Sequence, residues 1–446
     1  AAQGGARQVS LIVAHGTIVT MDDARRVLTD GAIAVDGRDI IAVGPAQSIA
    51  SAYRASQTID AGGDIVMPGL INTHTHAPMV LYRGLADDLA LMDWLQQYIF
   101  PAEAKTVTPE FVRAGTRLAA LEMIRSGTTT YTDMYYFEEE VARTTRAAGL
   151  RAVLGQTIIQ FPVPDAKTPA EGLARTEKFL REFKDDELIV PAVAPHAMYT
   201  LDTATLKSAR ALADRERAPV LIHLAEAPDE VKVAREKYGT TPVQYLESIG
   251  FFGPRTLGAH VIHVTPDDIA VLRARGVGVS HNPESNMKLA SGTAPVPAMR
   301  AAAIPVGLGT DGAASNNDLD MFEAMRQAAF LHKLQSNDPR TLPAADVVAM
   351  ATREGARALG LDRELGSLEP GRRADIIVVS MRSARQTPMY DPISHLVYAT
   401  RGDDVRTTIV NGRVLMRDGK VLTLDEPAIL AEARRWAAQV RAAVGR

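Results

Sequence analysis

Two histidines one residue apart, His74 and His76, close the apolar run in "VMPGLINTHTHAPMVLYRG". Side chains alternate along a strand, so residues two apart point the same way. Both imidazoles therefore face one point, with Thr75 turned out, and two converging imidazoles are what a divalent metal requires. The same kind of position recurs along the chain. His196 ends "LIVPAVAPH", His223 lies in "APVLIHLAE", His260 in "TLGAHVI", His281 in "GVGVSHN" and Asp311 in "IPVGLGTD". Six of the ten histidines thus fall at the ends of apolar strand candidates, which chance would not easily arrange. His223 would add a third nitrogen and Asp311 a hard oxygen. Three histidines and one aspartate, with water in an open position, describe a catalytic zinc-type site rather than a closed structural one.

Glu226 follows His223 by three residues in "HLAEAPDE". One reading is an exposed carboxylate in an acidic loop with Asp229 and Glu230. The preferred reading is a general acid/base: a metal lowers the pKa of its bound water toward neutrality, and a nearby carboxylate of raised pKa can shuttle the proton. His263 is expected to be structural, and His15, His332 and His395 are assigned no role.

The elements that must position these groups have two textures. From about residue 8 to 66, and again near the C-terminus, short β-type runs are separated by "DG" and "NG" hairpin signals. The two ends are expected to pair into one small β-sandwich, residues 1–66 with 364–446, the latter closing in an amphipathic helix. Between them, residues 67–363 alternate eight apolar strands with helical stretches such as "EFVRAGTRLAALEMIRSG". Eight such units predict an α/β fold of the (β/α)8 barrel type, whose active site lies at the C-terminal ends of the strands. The alternative, a doubly wound open sheet, lacks its glycine-rich phosphate fingerprint after the first strand.

Bulk composition narrows the function classes. The 446 residues are 46% apolar and 23% charged with net charge −4, so electrostatics give no case for nucleic acid or an anionic membrane. No apolar run is long enough to span a bilayer. With no cysteine, disulfides, thiolate metal sites and cysteine nucleophiles are excluded. The start, "AAQGGARQ", reads either as a trimmed chain or as a mature end left by signal cleavage. A cytoplasmic location is the preferred expectation, and a homo-oligomer is expected.

The stretches "PGLINTHTHAPMVLYRGLADDLALMDWL", "SGTTTYTDMYY", "APHAMYT", "HLAEAPDE", "SHNPESNMKLASG" and "GTDGAASNND" give a resemblance over the whole chain. The sequence resembles the amidohydrolase superfamily, and within it the 5'-methylthioadenosine/S-adenosylhomocysteine deaminases. The resemblance implies hydrolytic deamination of an adenosine-type nucleoside to the inosine analogue and ammonia. It implies one divalent metal, zinc with ferrous iron or manganese as alternatives, on His74, His76, His223 and Asp311. A bridging lysine of two-metal members is missing from "LIVPAVAPH". Glu226 matches the proton shuttle, Asp311 the acceptor of the water's proton, and His260 the histidine at the tetrahedral centre. Glu103 in "YIFPAEAK" matches the ribose-binding glutamate, and His196 a nucleoside contact. Trp94 in "MDWLQQY" falls in the lid segment, where it either covers the base or fills an apolar helix face with Leu91 and Leu95. Some members carry an arginine near the substrate's amino-acid tail, and the matching position here is Gln156. Methylthioadenosine, deoxyadenosine or adenosine therefore fits better than adenosylhomocysteine. Rival readings are a triazine- or guanine-type hydrolase and a barrel without catalysis.

Overall fold

The structure, a computed structural model, describes residues 6–445. Its centre is a closed parallel barrel. The first strand of this barrel is the sixth of the chain, so its eight strands are β6 (Leu70–Thr75), β7 (Thr128–Tyr135), β8 (Arg151–Ile158), β9 (Ile189–Pro195), β10 (Val220–Leu224), β11 (Thr256–His260), β12 (Gly278–His281) and β13 (Val306–Leu308). They follow one another around the ring, and β13 closes it against β6 through Leu308 and Asn72. The strands are buried along nearly their whole length, as expected where helices cover the outside. The predicted barrel fold is what forms.

Local chemistry starts the covering helices. Helices Pro109–Arg125, Pro169–Glu182, Pro242–Ser248 and Pro266–Ala274 each begin with threonine followed by proline, and each threonine hydroxyl accepts a backbone N–H of the first turn. Threonine satisfies an orphan donor, while proline has no N–H to lose and a φ already set for helix.

The chain ends build a second, nine-stranded sheet. Its N-terminal members are β1 (Arg7–Val19), β2 (Val27–Asp36), β3 (Asp39–Pro45), β4 (Tyr53–Asp60) and β5 (Ile65–Pro68). Its C-terminal members are β14 (Ile376–Val379), β15 (Val405–Val410), β16 (Arg413–Arg417) and β17 (Lys420–Val421), in the order β17-β16-β15-β14-β5-β1-β2-β3 with β4 on β1. The "NG" and second "DG" signals are hairpin turns, with Asn411, Gly412, Asp418 and Gly419 all at positive φ. Alternation splits β14 between two cores: Ile376 and Val378 face the sheet's own core, Ile377 and Val379 the barrel's helical layer.

The single apolar run read before the histidine pair is in fact two strands. Ile65–Pro68 pairs with β1 and β14 in the sheet, and Leu70–Thr75 enters the barrel. Gly69 is the corner, because a Cβ there would overlap the Thr129 side chain. Met67 and Pro68 thus lie in the sheet rather than past the boundary drawn at residue 66. The C-terminal helix, Glu426–Val444, packs on helix Pro109–Arg125, with the Trp436 ring edge-on to Phe111 at 5.3 Å. No helix among the described residues is long and apolar enough to cross a membrane. The first five residues of the N-terminal segment, on which the exported-chain reading draws, lie outside the described residues.

Candidate active site and metal centre

The C-terminal ends of the strands converge at the floor of a cleft of about 580 Å³. His74 and His76 project from the end of β6, and Thr75 points the other way, its hydroxyl bonded to Asp133 Oδ1 at 2.7 Å. Both Nε2 atoms lie 3.4 Å from Asp311 Oδ1. Asp311 follows β13 at φ 63°, and its N–H donates to the His74 carbonyl. His260 at φ 73° and Ala225 at φ 52° are also left-handed. Such conformations cost energy away from glycine and concentrate where function demands them. Of the three, His260 and Asp311 line the cleft.

The fit to a cation rests on the imidazole nitrogens. His76 Nδ1 is 2.7 Å from the Met134 carbonyl and His223 Nδ1 is 2.8 Å from the His196 carbonyl. A carbonyl only accepts, so both protons sit on Nδ1. The two Nε2 atoms then present lone pairs to each other across 3.3 Å, an arrangement that needs a cation between them. His74 Nε2 is buried with no hydrogen-bond partner among the described residues. Donor atoms of His74, His76 and Asp311 lie within 4.8 Å of one another, and so do those of His74, His223 and His260. Burial holds His74 at a pKa of about 4 and His223 well below the ordinary range, so both imidazoles are neutral at pH 7.

Two carboxylates flank this cluster. Glu226 Oε1 and Asp311 Oδ2 lie 3.8 and 3.9 Å from the same nitrogen, His260 Nε2. Burial raises the Glu226 pKa. Burial would also raise Asp311, but the surrounding imidazoles hold it well below the usual carboxylate range. Burial opposes protonation of His260, yet Glu226, Asp311 and the Asn286 side chain at 2.8 Å lift its pKa above the ordinary value. The exposed-loop reading of Glu226 is excluded by its 6% exposure.

The lid segment supplies the opposite wall. Residues Trp94–Ile99 are wound as a π-helix between helical turns, a feature frequent at functional sites. Both readings of Trp94 meet here: it is buried beside Leu91 and Leu95, lines the cleft, and its indole N–H has no partner among the described residues. Glu103 lies on the next helix, accepting hydrogen bonds from the Tyr135 hydroxyl at 2.7 Å and the Tyr136 hydroxyl at 3.4 Å. Burial pushes its pKa up to about 7. His196 lines the cleft, its Nδ1 3.1 Å from the Thr200 hydroxyl.

The structure does not bring Gln156 to the cleft. Its amide N–H donates to Asp165 at 2.8 Å and its oxygen accepts from the Glu138 N–H, while the next residue, Thr157, lines the wall. Alternation along β8 accounts for this. His281 turns away for the same reason, its Nε2 3.1 Å from that of His332, while Ser280 and Asn282 face inward. His263 meets the Ser291 carbonyl. Sequence reasoning missed Tyr135, Tyr136, Thr157, Tyr199 and Glu230, which accepts the Glu226 N–H at 2.9 Å. The tandem tyrosines ending "TTTYTDMYY" were the available signal.

Comparison with known proteins now bears directly on this geometry. The amidohydrolase family model matches residues 65–415. The chain belongs to the amidohydrolase family. It is 48% identical over 437 residues, 98% of its length, to the whole of a 5-methylthioadenosine/S-adenosylhomocysteine deaminase of Syntrophobacter fumaroxidans. It is 46% identical over 432 residues, 96% of its length and 98% of the relative, to a 5'-deoxyadenosine deaminase of Methanosarcina barkeri. Among solved structures, a zinc-bound adenosine deaminase of Xanthomonas campestris superposes with a TM-score of 0.96 at 38% identity, covering 98% of this chain and all of that one. Amidohydrolases bind a divalent metal, and the His/Asp cluster on the cleft floor has donors close enough together to hold one.

Proposed function

We propose that this amidohydrolase deaminates adenosine-type nucleosides, replacing the 6-amino group of adenine with oxygen from water and releasing ammonia. The observation that carries the reading is the approach of Glu226 and Asp311 to the same nitrogen, His260 Nε2, at 3.8 and 3.9 Å. Deamination needs one group to take a proton from water and another to give one to the ring, and the two carboxylates sit in environments that push their pKa values apart.

His74, His76, His223 and Asp311 are the proposed metal ligands, and zinc the proposed ion. Bound there, it would polarise water enough to act as a nucleophile near neutral pH. Asp311 takes one proton from water and returns it to the 6-amino nitrogen, which leaves as ammonia, while the proton left on the added hydroxyl restores Glu226. Glu226, protonated, donates to the ring nitrogen beside carbon 6 and makes that carbon electrophilic. His260 contacts the oxygen that adds. Glu230 fixes Glu226 by accepting its backbone N–H. At the other end of the cleft Glu103 accepts the two adjacent ribose hydroxyls, a bidentate pairing. His196 and Trp94 bound the base and ribose, and the lid keeps bulk water from the reacting carbon.

The test is ammonia release from zinc-loaded protein on adenosine, 5'-deoxyadenosine and methylthioadenosine, with guanine and melamine as comparators. The adenine nucleosides should be turned over and shift their absorbance to the inosine form. Ammonia from guanine or melamine alone would replace this reading with the ring-hydrolase alternative.

A further inference from the structure

Adenine nucleosides differ most at the 5' carbon, which carries a hydroxyl, a hydrogen, a methylthio group or a zwitterionic amino-acid arm. This inference rests on the deaminase reading and concerns which of these the cleft takes. The carboxyl groups on its wall are those of Glu103, Glu226 and Asp311, and no lysine or arginine lines it among the described residues. Its rim is aromatic. Phe100 lies one turn before Glu103 on the same helix, so both face the cleft. Phe161, in the loop after β8, stands against Phe100 with ring centroids 5.2 Å apart.

Behind this rim the polar groups are already engaged. Asp165 accepts from the Gln156 side chain and from the Phe137 N–H at 2.7 Å. The Arg175 guanidinium pairs with Glu139 and with Asp165 at 3.3 Å, and stacks over the Phe137 ring. Two carboxylates thus share one guanidinium, and Arg175 is not among the residues lining the cleft.

We propose that Phe100 and Phe161 form the subsite for the 5' substituent, and that it selects a small uncharged group, methylthio foremost, over a tail that ends in a carboxylate. Sulfur packs favourably against aromatic edges. A carboxylate arriving at this aromatic rim meets no lysine or arginine on the cleft wall and must either keep its water or lose it without compensation.

The test compares kcat/KM for methylthioadenosine and S-adenosylhomocysteine on zinc-loaded wild type and Phe161→Arg. Phe161 is 37% exposed, so an arginine there stands in water without opening a core. Wild type should favour methylthioadenosine more than about thirtyfold, the scale that one polar group left without a partner produces. Phe161→Arg, with unchanged Tm, should narrow that ratio at least about tenfold by raising the adenosylhomocysteine value. A wild-type ratio at or below thirty, or a folded variant that does not narrow it, overturns the subsite while leaving deamination standing. Ammonia from neither nucleoside overturns both.

Discussion

Proton placement on two imidazoles determines what the floor of the cleft can hold. With the Nδ1 protons of His76 and His223 directed at carbonyls, the Nε2 lone pairs have no partner but a cation. Glu226 belongs to neither group of donors that could hold the ion and approaches them at His260 Nε2, 3.8 Å away. Glu226→Gln should keep full metal content by elemental analysis and lose roughly 10²- to 10⁴-fold in kcat, the usual worth of a positioned acid/base. Turnover near the wild-type rate would remove the proton-transfer role. At the other end, Tyr135 acts through Glu103. Removing its hydroxyl deletes a hydrogen bond to a charged group, typically about 1.5–3 kcal/mol. Tyr135→Phe should therefore raise KM for adenosine about ten- to hundredfold with little change in kcat, the range that such an energy predicts. 2',3'-dideoxyadenosine, which has no diol to place, should show little change. Equal effects on both substrates would put Tyr135 at the base instead.

Among the elements, the last and first barrel strands meet where the backbone leaves no room for a Cβ. Gly309 follows β13, and a Cβ on it would lie 2.6 Å from Ser280 Oγ and 2.9 Å from the His74 N–H nitrogen. Only glycine lets these strands approach closely enough for Asp311 to reach both imidazoles. Gly309→Ala should cost about 1–3 kcal/mol as overpacking, and should lower zinc occupancy because His74 must give way. Full occupancy with an unchanged thermal midpoint would show that the floor can yield without moving its ligands. Other positions carry this crowding silently: Gly278 sits on the Ala358 backbone and Gly115 on that of Pro78.

Across the whole molecule, the barrel and the terminal sheet are tied by a buried ion pair. Arg151, at the start of β8, bonds Asp375 at 3.2 Å, and both side chains are 6% exposed. Asp375 also accepts the Asn411 N–H at 2.7 Å. Removing one partner of such a pair strands a buried charge and costs about 3–5 kcal/mol. Arg151→Ala should lower the thermal midpoint by several degrees. Its kcat at 25 °C should not change, since the pair lies at the strand end opposite the cleft. A fall in kcat without loss of stability would instead link the sheet to catalysis.

Much of this is legible in the chain. The eight apolar strands, the "DG" and "NG" turns and the His-Thr-His spacing follow from alternation and turn chemistry, which act between near neighbours. Those rules suffice to place His74, His76, His223, His260 and Asp311 at strand ends. What they leave open is face. Gln156 and His281 stand at strand ends too, but one residue out of phase with the cleft, and each finds its partner in the outer layer, Asp165 and His332. The split at Gly69, the left-handed turns at Ala225, His260 and Asp311, and the tyrosines on Glu103 need closure of the ring. By itself, then, the sequence determined the repeating units, the metal-binding residue types and the family. The tertiary structure alone decided which side chains share one cavity, because that depends on contacts between residues hundreds of positions apart, where packing and buried hydrogen bonds outweigh local preference.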